Sequence, residues 1–473
     1  MQAITLKKMK AKVLALLCCS FFVLNNTLAF GGAADAIFGW HAGDGHSHTT
    51  YSDGFRVIET MAQAAQDSGL AWIIVTDHTD VTHSRWSSSD FSWIYSVDKY
   101  LSDDDWRNLQ NDVVWLDLPT FLGEEVTVGN GSDLETTGHF LAYGISERVE
   151  PFTSPDQTAR RTARDIVDEV VREQNGFGYV AHPHTSFFRG PHGEPWDKEG
   201  WDVVDDYSRW YPGKIGLELI NAGYDANYRT LNRWDSYLSK SKSPPPEGPR
   251  IFGIGNSDAH IASSIGSAFT HVYTGGSVSG LNEQAIYEAL KKGHAVASNG
   301  PFVTFSTKGG IPGDEIKASV GEELSLNINW ETTLENGVPV EIELFDDSTN
   351  VAGDPKPAKT YSVLGEDFSG SMTVPYKVTS DGYIRLKLST LSPIPPLTRV
   401  AYTNPIFIST KGASLDKKYP TPIGGDFVTM DPFNNSTPDV DGNIVVWRTV
   451  YESGGNGDIY MKNLSTGVEE SLL

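Results

Sequence analysis

The chain is 473 residues long and carries 37 lysines and arginines against 61 aspartates and glutamates, for a formal net charge of −24. That length exceeds one ordinary domain and predicts two or three. The acidic balance disfavours nucleic-acid backbones and anionic membrane surfaces as partners, because both are polyanions. It weighs less against a phosphate substrate, since bound divalent ions can reverse the local field.

The amino end has the pattern of a signal peptide over residues 1–29. Lys7, Lys8, Lys10 and Lys12 form a basic stretch, Val13 to Leu24 an apolar one, and Thr27-Leu28-Ala29 a small-residue cleavage site. The apolar run is too short to span a bilayer. Cys18 and Cys19, the only cysteines, lie inside it, and neither follows the small residue that a lipoprotein signal needs. An exported bacterial protein, periplasmic or extracellular, is expected. Its mature chain would lack disulfides and draw its stability from its core and bound metals.

A strand-like segment, Ile37 to Trp40, precedes the run Asp44-Gly45-His46-Ser47-His48-Thr49-Thr50-Tyr51-Ser52-Asp53-Gly54. In an extended backbone, residues i and i+2 share a face, so His46 and His48 can aim both imidazoles at one point, with Asp53 close behind. Leu70 to Thr76 is a short apolar run typical of a buried strand and ends in Asp77-His78. An insertion follows, longer than a single helix needs, holding Trp86, Trp93, Trp106 and Trp115. Within it, Ser102-Asp103-Asp104-Asp105 is a helix N-cap with acids in the first turn. The tryptophans suit a local mini-core; the alternative is an aromatic lid over an apolar substrate group.

Phe121 to Val128 is another apolar run, and it carries Glu124 and Glu125. Acids inside such a strand are costly unless paired or metal-bound, and adjacent residues face opposite ways, so only one of the two can reach a shared site. His139 opens the stretch to Tyr143. Phe177 to Ala181 leads into His182-Pro183-His184, and Arg250 to Gly255 leads into Asn256-Ser257-Asp258-Ala259-His260. Five strand-like segments thus end in, or carry, a histidine or a carboxylate. In parallel α/β folds, sites lie at the carboxyl ends of strands. Arg189, with His184 and His192, lies in a Gly- and Pro-rich loop where it could clamp a phosphate or carboxylate, or simply be solvated. His41 could reach the rim, His83 could support the site from behind its ligands but fits a plain loop better, and His271 fits a packed strand and His294 a turn without a role.

Past Gly300-Pro301 the pattern changes. Glu323 to Trp330, Val340 to Leu344 and Gly382 to Leu388 alternate and are divided by turn residues, which predicts an antiparallel β-sandwich. It holds no histidine, so docking or substrate shaping suits it better than metal ligation. From about Asp431, Pro438 to Trp447 and Gly457 to Gly467 look like one blade of a TolB-type β-propeller. One blade cannot bury both its faces, so the tail is either part of a longer protein or loosely held.

The order His-x-His, Asp, Asp-His, Gly-x-Glu, His, Ala-His-Pro, Ser-Asp-Ala-His resembles the polymerase and histidinol phosphatase (PHP) domain superfamily. That resemblance implies an α/β fold with a distorted (β/α)7 barrel, and two or three divalent metals. It implies nine ligand positions: His46, His48, Asp53, His78, Glu125, His139, His182, Asp258 and His260. Its spacing after Gly123 favours Glu125 over Glu124. Trp40-x-x-Gly43-Asp44-x-His46, Ser298-Asn-Gly-Pro301 and Ala401-Tyr-Thr-Asn-Pro405 resemble the carbaryl-hydrolase-type (CehA/McbA) branch. The expected organisation is a barrel over 36–300, a β-sandwich over 301–412 and a blade-like segment over 430–473.

His and carboxylate donors without thiolate suit Zn, Mn or Fe. Two such ions would lower the pKa of a bridging water and supply hydroxide near neutral pH, with Asp258 either taking its proton or serving only as a ligand. The leading expectation is hydrolysis of phosphoric esters of a small molecule. Alternatives are hydrolysis of carbamate, carboxylic ester or amide bonds, and a non-catalytic secreted metal-binding scaffold.

Overall fold

The computed structural model describes residues 38–410 except 88–91, 114–115, 135, 184–195, 197, 225–227, 246, 352–353, 365–366 and 396, together with strands at 439–441, 444–448, 459–463 and 469–471. The segment with the signal-peptide pattern, and His184, Arg189 and His192, lie outside the described residues. Contacts divide the chain into two compact units, residues 1–412 and 413–473.

The first unit is mixed α/β and is organised by one large sheet. Strand β1 (Trp40–Asp44) starts a few residues later than the pattern suggests, so the His46/His48 pair follows the strand's end directly. It pairs in parallel with β2 (Trp72–Val75), whose Trp-Ile-Ile-Val is buried on both faces, as a covered parallel strand requires. A hairpin of β3 (Asp80–Ser87) and β4 (Ser92–Tyr100) forms part of the insertion after His78. Strand β5 (Thr120–Gly129) runs parallel to β2, and β6 (Thr136–Tyr143) antiparallel to β5. Next come β7 (Phe177–Ala181), antiparallel to β6, then β8 (Ile215–Asn221) and β9 (Phe252–Asn256), both parallel.

On the far side of β1 lie β10 (Phe269–Tyr273) and β11 (Ala295–Ser298), both antiparallel. The sheet curls until β9 reaches them: Gly255 N donates to Thr270 Oγ1 at 3.0 Å. A Cβ on Gly255 would stand 3.2 Å from Ser298 N and 3.3 Å from Ala297 Cβ, so glycine lets the two edges approach without crowding. Helices cover the outside. In Ile58–Asp67, the buried Ile58, Met61, Ala62 and Ala65 form one stripe at helical spacing. Helix Asp103–Val113 is capped as its sequence indicated: Ser102 Oγ accepts from Asp105 N, and Asp105 reaches back to Ser102 N. Its Trp106 is buried with Ile58, Val75, Leu101 and Leu109, in a local apolar cluster.

Residues beyond Gly300 extend the same sheet. Strands β12 (Phe302–Ser306), β13 (Glu315–Lys317), β14 (Glu323–Glu331) and β15 (Val338–Asp346) follow, then the short β16 (Asn350–Val351), β17 (Asp354–Pro355) and β18 (Lys359–Ser362). They are followed by β19 (Ser369–Lys377), β20 (Gly382–Leu391), β21 (Thr398–Thr403) and β22 (Ile406–Ser409). Strands β12, β14 and β19 form a separate antiparallel sheet, whose Leu324, Leu326, Ile328 and Trp330 alternate inward. Strand β21 pairs with β11, joining the carboxyl-terminal strands to those around β1. Buried Arg385 on β20 chelates Asp235 of helix Tyr228–Lys240, with Nη2 at 2.7 Å and Nε at 3.0 Å. Asn299 and Asn404, from two motifs that resembled the CehA/McbA branch, staple backbones: Asn299 Oδ1 accepts from Val400 N and Asn404 Oδ1 from Gly253 N, each at 2.7 Å.

In the second unit, β23 (Asp439–Asp441), β24 (Ile444–Arg448), β25 (Ile459–Asn463) and β26 (Glu469–Ser471) form a four-stranded antiparallel sheet in chain order.

Candidate metal centre

The structure brings all nine residues of the expected ligand set to one place. Glu125, mid-strand on β5, is the hub and is completely buried. Its Oε2 lies 3.1 Å from His46 Nε2, 3.2 Å from His48 Nε2 and 3.1 Å from His78 Nδ1. Its Oε1 lies 2.8 Å from both His139 Nδ1 and His182 Nε2. Glu124 faces the other way and accepts from Val149 N at 2.6 Å, so the alternation of the strand sorts the two acids. Asp258 Oδ1 stands 3.4 Å from His46 Nε2 and 3.2 Å from His48 Nε2. Asp53 completes the outer side, 3.2 Å from His260 Nε2 and 3.8 Å from His78 Nε2.

Three overlapping groups of donor atoms, each within 4.8 Å of one another, can be drawn from these side chains: His48, Asp53, His78 and His260; His46, His48, Glu125 and Asp258; and His78, Glu125 and His139. Glu125 Oε2 is the decisive atom. Three ring nitrogens converge on it, yet it is buried and none of them is well aligned to donate it a hydrogen bond. A carboxylate oxygen packed among ring nitrogens without an aligned hydrogen bond is costly to bury unless a cation, a metal ion or a protonated imidazole, sits against it. The donor set therefore fits divalent metal.

Electrostatics agree. Burial alone would raise the Glu125 carboxyl, but His78, His139 and His46 together hold it well below the usual range. Burial pulls His48 down, yet Asp258 and Glu125 overcome this and raise it to about 10. His78 is lowered to about 3, by burial first and by neighbouring His48 and His139, against the pull of Glu125. Two of the set occupy the left-handed backbone region, His182 at φ 29° and Asp258 at φ 51°. Each such non-glycine conformation costs on the order of 1–3 kcal/mol, and strain of this kind concentrates at functional sites.

Sequence reasoning passed over the supporting carboxylates. Asp77 holds the loop after His48: it accepts from Thr49 N and Oγ1 at 2.7 and 2.6 Å, and from Ser52 N at 3.1 Å and Ser52 Oγ at 2.5 Å. Glu218, on β8, lies 3.1 Å from His46 Nδ1. Both were open to the argument applied to Glu125, because Glu218 sits between Leu217 and Leu219 in an apolar strand. Asp44 is also buried; burial lifts its carboxyl to about 6, against hydrogen bonds from Ser257 and His46. His271 packs between the rings of Phe269 and Phe302, and His41 Nε2 lies 3.0 Å from Gly276 O.

A family model described as PHP-associated matches residues 250–295, the stretch containing Asp258 and His260. No curated protein matches the chain. Among solved structures, the chain is similar to a two-domain protein containing a predicted PHP-like metal-dependent phosphoesterase from Bacteroides vulgatus, at 16% identity and a TM-score of 0.38, over 79% of this chain and 95% of the other. It is similar to a proposed metal-dependent phosphoesterase from Bifidobacterium adolescentis (16% identity, TM-score 0.31, 46% of this chain and 87% of the other). A third likeness is to an amidohydrolase from Chromobacterium violaceum (13% identity, TM-score 0.30, 47% and 89%). No helix among the described residues is long and apolar enough to cross a membrane.

Proposed function

We propose that this protein is an exported metal-dependent hydrolase of phosphoric esters of small molecules, of the PHP type. The observation that carries the reading is Glu125 Oε2, buried, without a well-aligned hydrogen bond and met by His46, His48 and His78. In this reading Glu125 and the eight residues around it hold two or three ions (Zn, Mn or Fe), with Glu125, His48 and His78 each shared between donor groups. Residues 36–300 are then a distorted (β/α)7 barrel, residues 301–412 a sandwich, and the tail a single blade.

Bound divalent ions would supply the Lewis acidity that makes water acidic enough to attack near neutral pH and that polarises the bond to be broken. The chain supplies position and proton transfer. Asp258, beyond the end of β9, keeps one oxygen on the histidines and its Oδ2 on Asn221 Nδ2 at 3.3 Å. Burial opposes its ionisation, but His46 and His48 hold it well below the ordinary carboxylate range, so it is ionised and its oxygens are placed to hydrogen-bond the attacking water and pass on its proton. Asp53 and His260, half-exposed, sit on the solvent side where substrate would enter.

The test is metal-reconstituted protein against p-nitrophenyl phosphate, bis(p-nitrophenyl) phosphate, p-nitrophenyl acetate and 1-naphthyl carbamate, beside His48→Ala. Turnover of a phosphate ester that disappears in His48→Ala supports the proposal. Turnover of the acetate or carbamate alone assigns a carboxyl-type hydrolase of the carbaryl-hydrolase branch. Metal binding without turnover of any ester leaves the scaffold reading.

A further inference from the structure

Strand β8 contains an irregularity that regular pleating does not explain. Its register against β9 shifts between Glu218 and Ile220. In a regular strand, residues three apart point to opposite faces; one extra residue brings them to the same face. Here the bulge lets Asn221 Nδ2 donate to Glu218 Oε2 at 3.0 Å, and the same Nδ2 lies 3.3 Å from Asp258 Oδ2.

Glu218 is fully buried in an otherwise apolar strand. Four polar groups meet its two oxygens. Oε1 faces His46 Nδ1 at 3.1 Å and accepts from Asn256 Nδ2 at 3.0 Å. Oε2 accepts from His182 N at 2.8 Å and from Asn221 Nδ2. Asn256 in turn accepts from Gly45 N at 2.8 Å, fixing the backbone just before His46. One carboxylate therefore gathers a side chain after β1, a backbone group after β7, and side chains from the ends of β8 and β9.

We propose that Glu218 is a positioning residue for metal, resting on the metal-dependent reading above. It takes the Nδ1 hydrogen of His46, so that Nε2 presents its lone pair toward Glu125 and Asp258. It also holds His182 in its left-handed conformation through the backbone amide, and steadies Asp258 through Asn221. Outer carboxylates on metal-binding histidines fix tautomer and ring orientation, and losing one weakens metal affinity by about 10–100-fold. Glu218 differs from a carboxylate serving one histidine in that it couples groups reaching three members of the ligand set.

The test is Glu218→Gln, which keeps shape but turns one acceptor into a donor facing donors. Metal affinity is read by chelator competition, and ligand geometry by the visible spectrum of the cobalt-substituted protein. The expected result is affinity weaker by about 10–100-fold with an altered cobalt spectrum and native far-UV circular dichroism. Should that variant fail to fold, Asn221→Ala, in a half-buried position, is measured instead and is expected to bind metal at least about threefold more weakly. Affinity within twofold of wild type with an unchanged cobalt spectrum overturns the proposal. Wild-type protein that takes up no metal overturns the reading of the whole site and this proposal with it, so the two failures are distinguishable.

Discussion

His46 Nε2 and His48 Nε2 lie 3.2 Å apart at the centre of the site. Two ring nitrogens at that distance cannot both present bare lone pairs without a cation or proton between them. The groups behind them differ: Glu218 Oε1 stands 3.1 Å from Nδ1 of His46, and Ser52 Oγ 3.4 Å from Nδ1 of His48. The carboxylates of Asp258 and Glu125 supply negative charge on the near side. This pair is where metal and proton compete.

That competition has a sign. With burial overcome by Asp258 and Glu125, His48 is raised to about 10, so the metal-free protein holds a proton there at pH 7. Metal uptake must displace it. Isothermal titration in buffers of different ionisation enthalpy should show about one or more protons released per uptake event near pH 7. Apparent affinity should rise as pH is raised from 6 to 9. Uptake with no proton release, or affinity flat with pH, contradicts the assignment.

Asp258→Asn keeps the volume of the side chain and removes its charge. If Asp258 takes the proton of the attacking water, kcat falls by about 10²–10⁴-fold. Metal analysis beside kinetics separates the roles. Loss of rate with ion content retained identifies proton transfer, whereas loss of an ion in proportion to rate identifies a ligand only.

Asp77→Ala strands the four donors of Thr49 and Ser52 that converge on one buried carboxylate. Removing one partner of a buried network costs roughly 2–4 kcal/mol. Thermal unfolding of the metal-free protein should show the loss. Asp53 and His48 flank this loop, so metal affinity should drop as well. A metal-free Tm equal to wild type would remove Asp77 from the account.

Glu124 gives a pH-dependent prediction free of the metals. Burial, against the hydrogen bond from Val149 N, raises its carboxyl to about 8. The folded protein therefore holds the proton more tightly than the unfolded chain, whose glutamate titrates at 4.5. The stability this confers is complete below pH 4.5 and is lost as pH rises through about 8. Glu124→Gln mimics the protonated form. It should raise Tm over wild type by on the order of a few degrees at pH 9 and by little at pH 5. An equal Tm difference at both values contradicts the buried, neutral carboxyl.

The nine-residue set came with the resemblance to the PHP superfamily, while the residues by themselves offered only local signals: histidines or acids at the ends of apolar runs or inside them. His46 and His48 are two apart, and alternation allows only one of Glu124 and Glu125 to face a shared site; the resemblance favoured Glu125, and the structure turns Glu124 to Val149 N. Glu218 was open to the same argument, since it interrupts an apolar strand; what the sequence hid was its link to Asn221, which only the bulge brings to the same face. Strand β1 was placed early because Phe38 and Gly39 look strand-like, yet Gly39 turns at φ 90° before pairing begins at Trp40. The continuity of the sheet through β11 and β21 was likewise hidden, since it depends on pairing residues about a hundred positions apart, such as Ser298 with Ala401. Histidine-poor composition beyond Gly300 predicted that this part supplies no ligand. It gave no hint that Arg385 would reach Asp235.

The most direct measurement is the metal content of purified protein after reconstitution with Zn, Mn and Fe, for wild type and for Glu125→Ala. Two or three equivalents in wild type, falling by at least one in the variant, is the result predicted by a buried Glu125 shared between donor groups. No bound metal in wild type, or equal content in both, would contradict it.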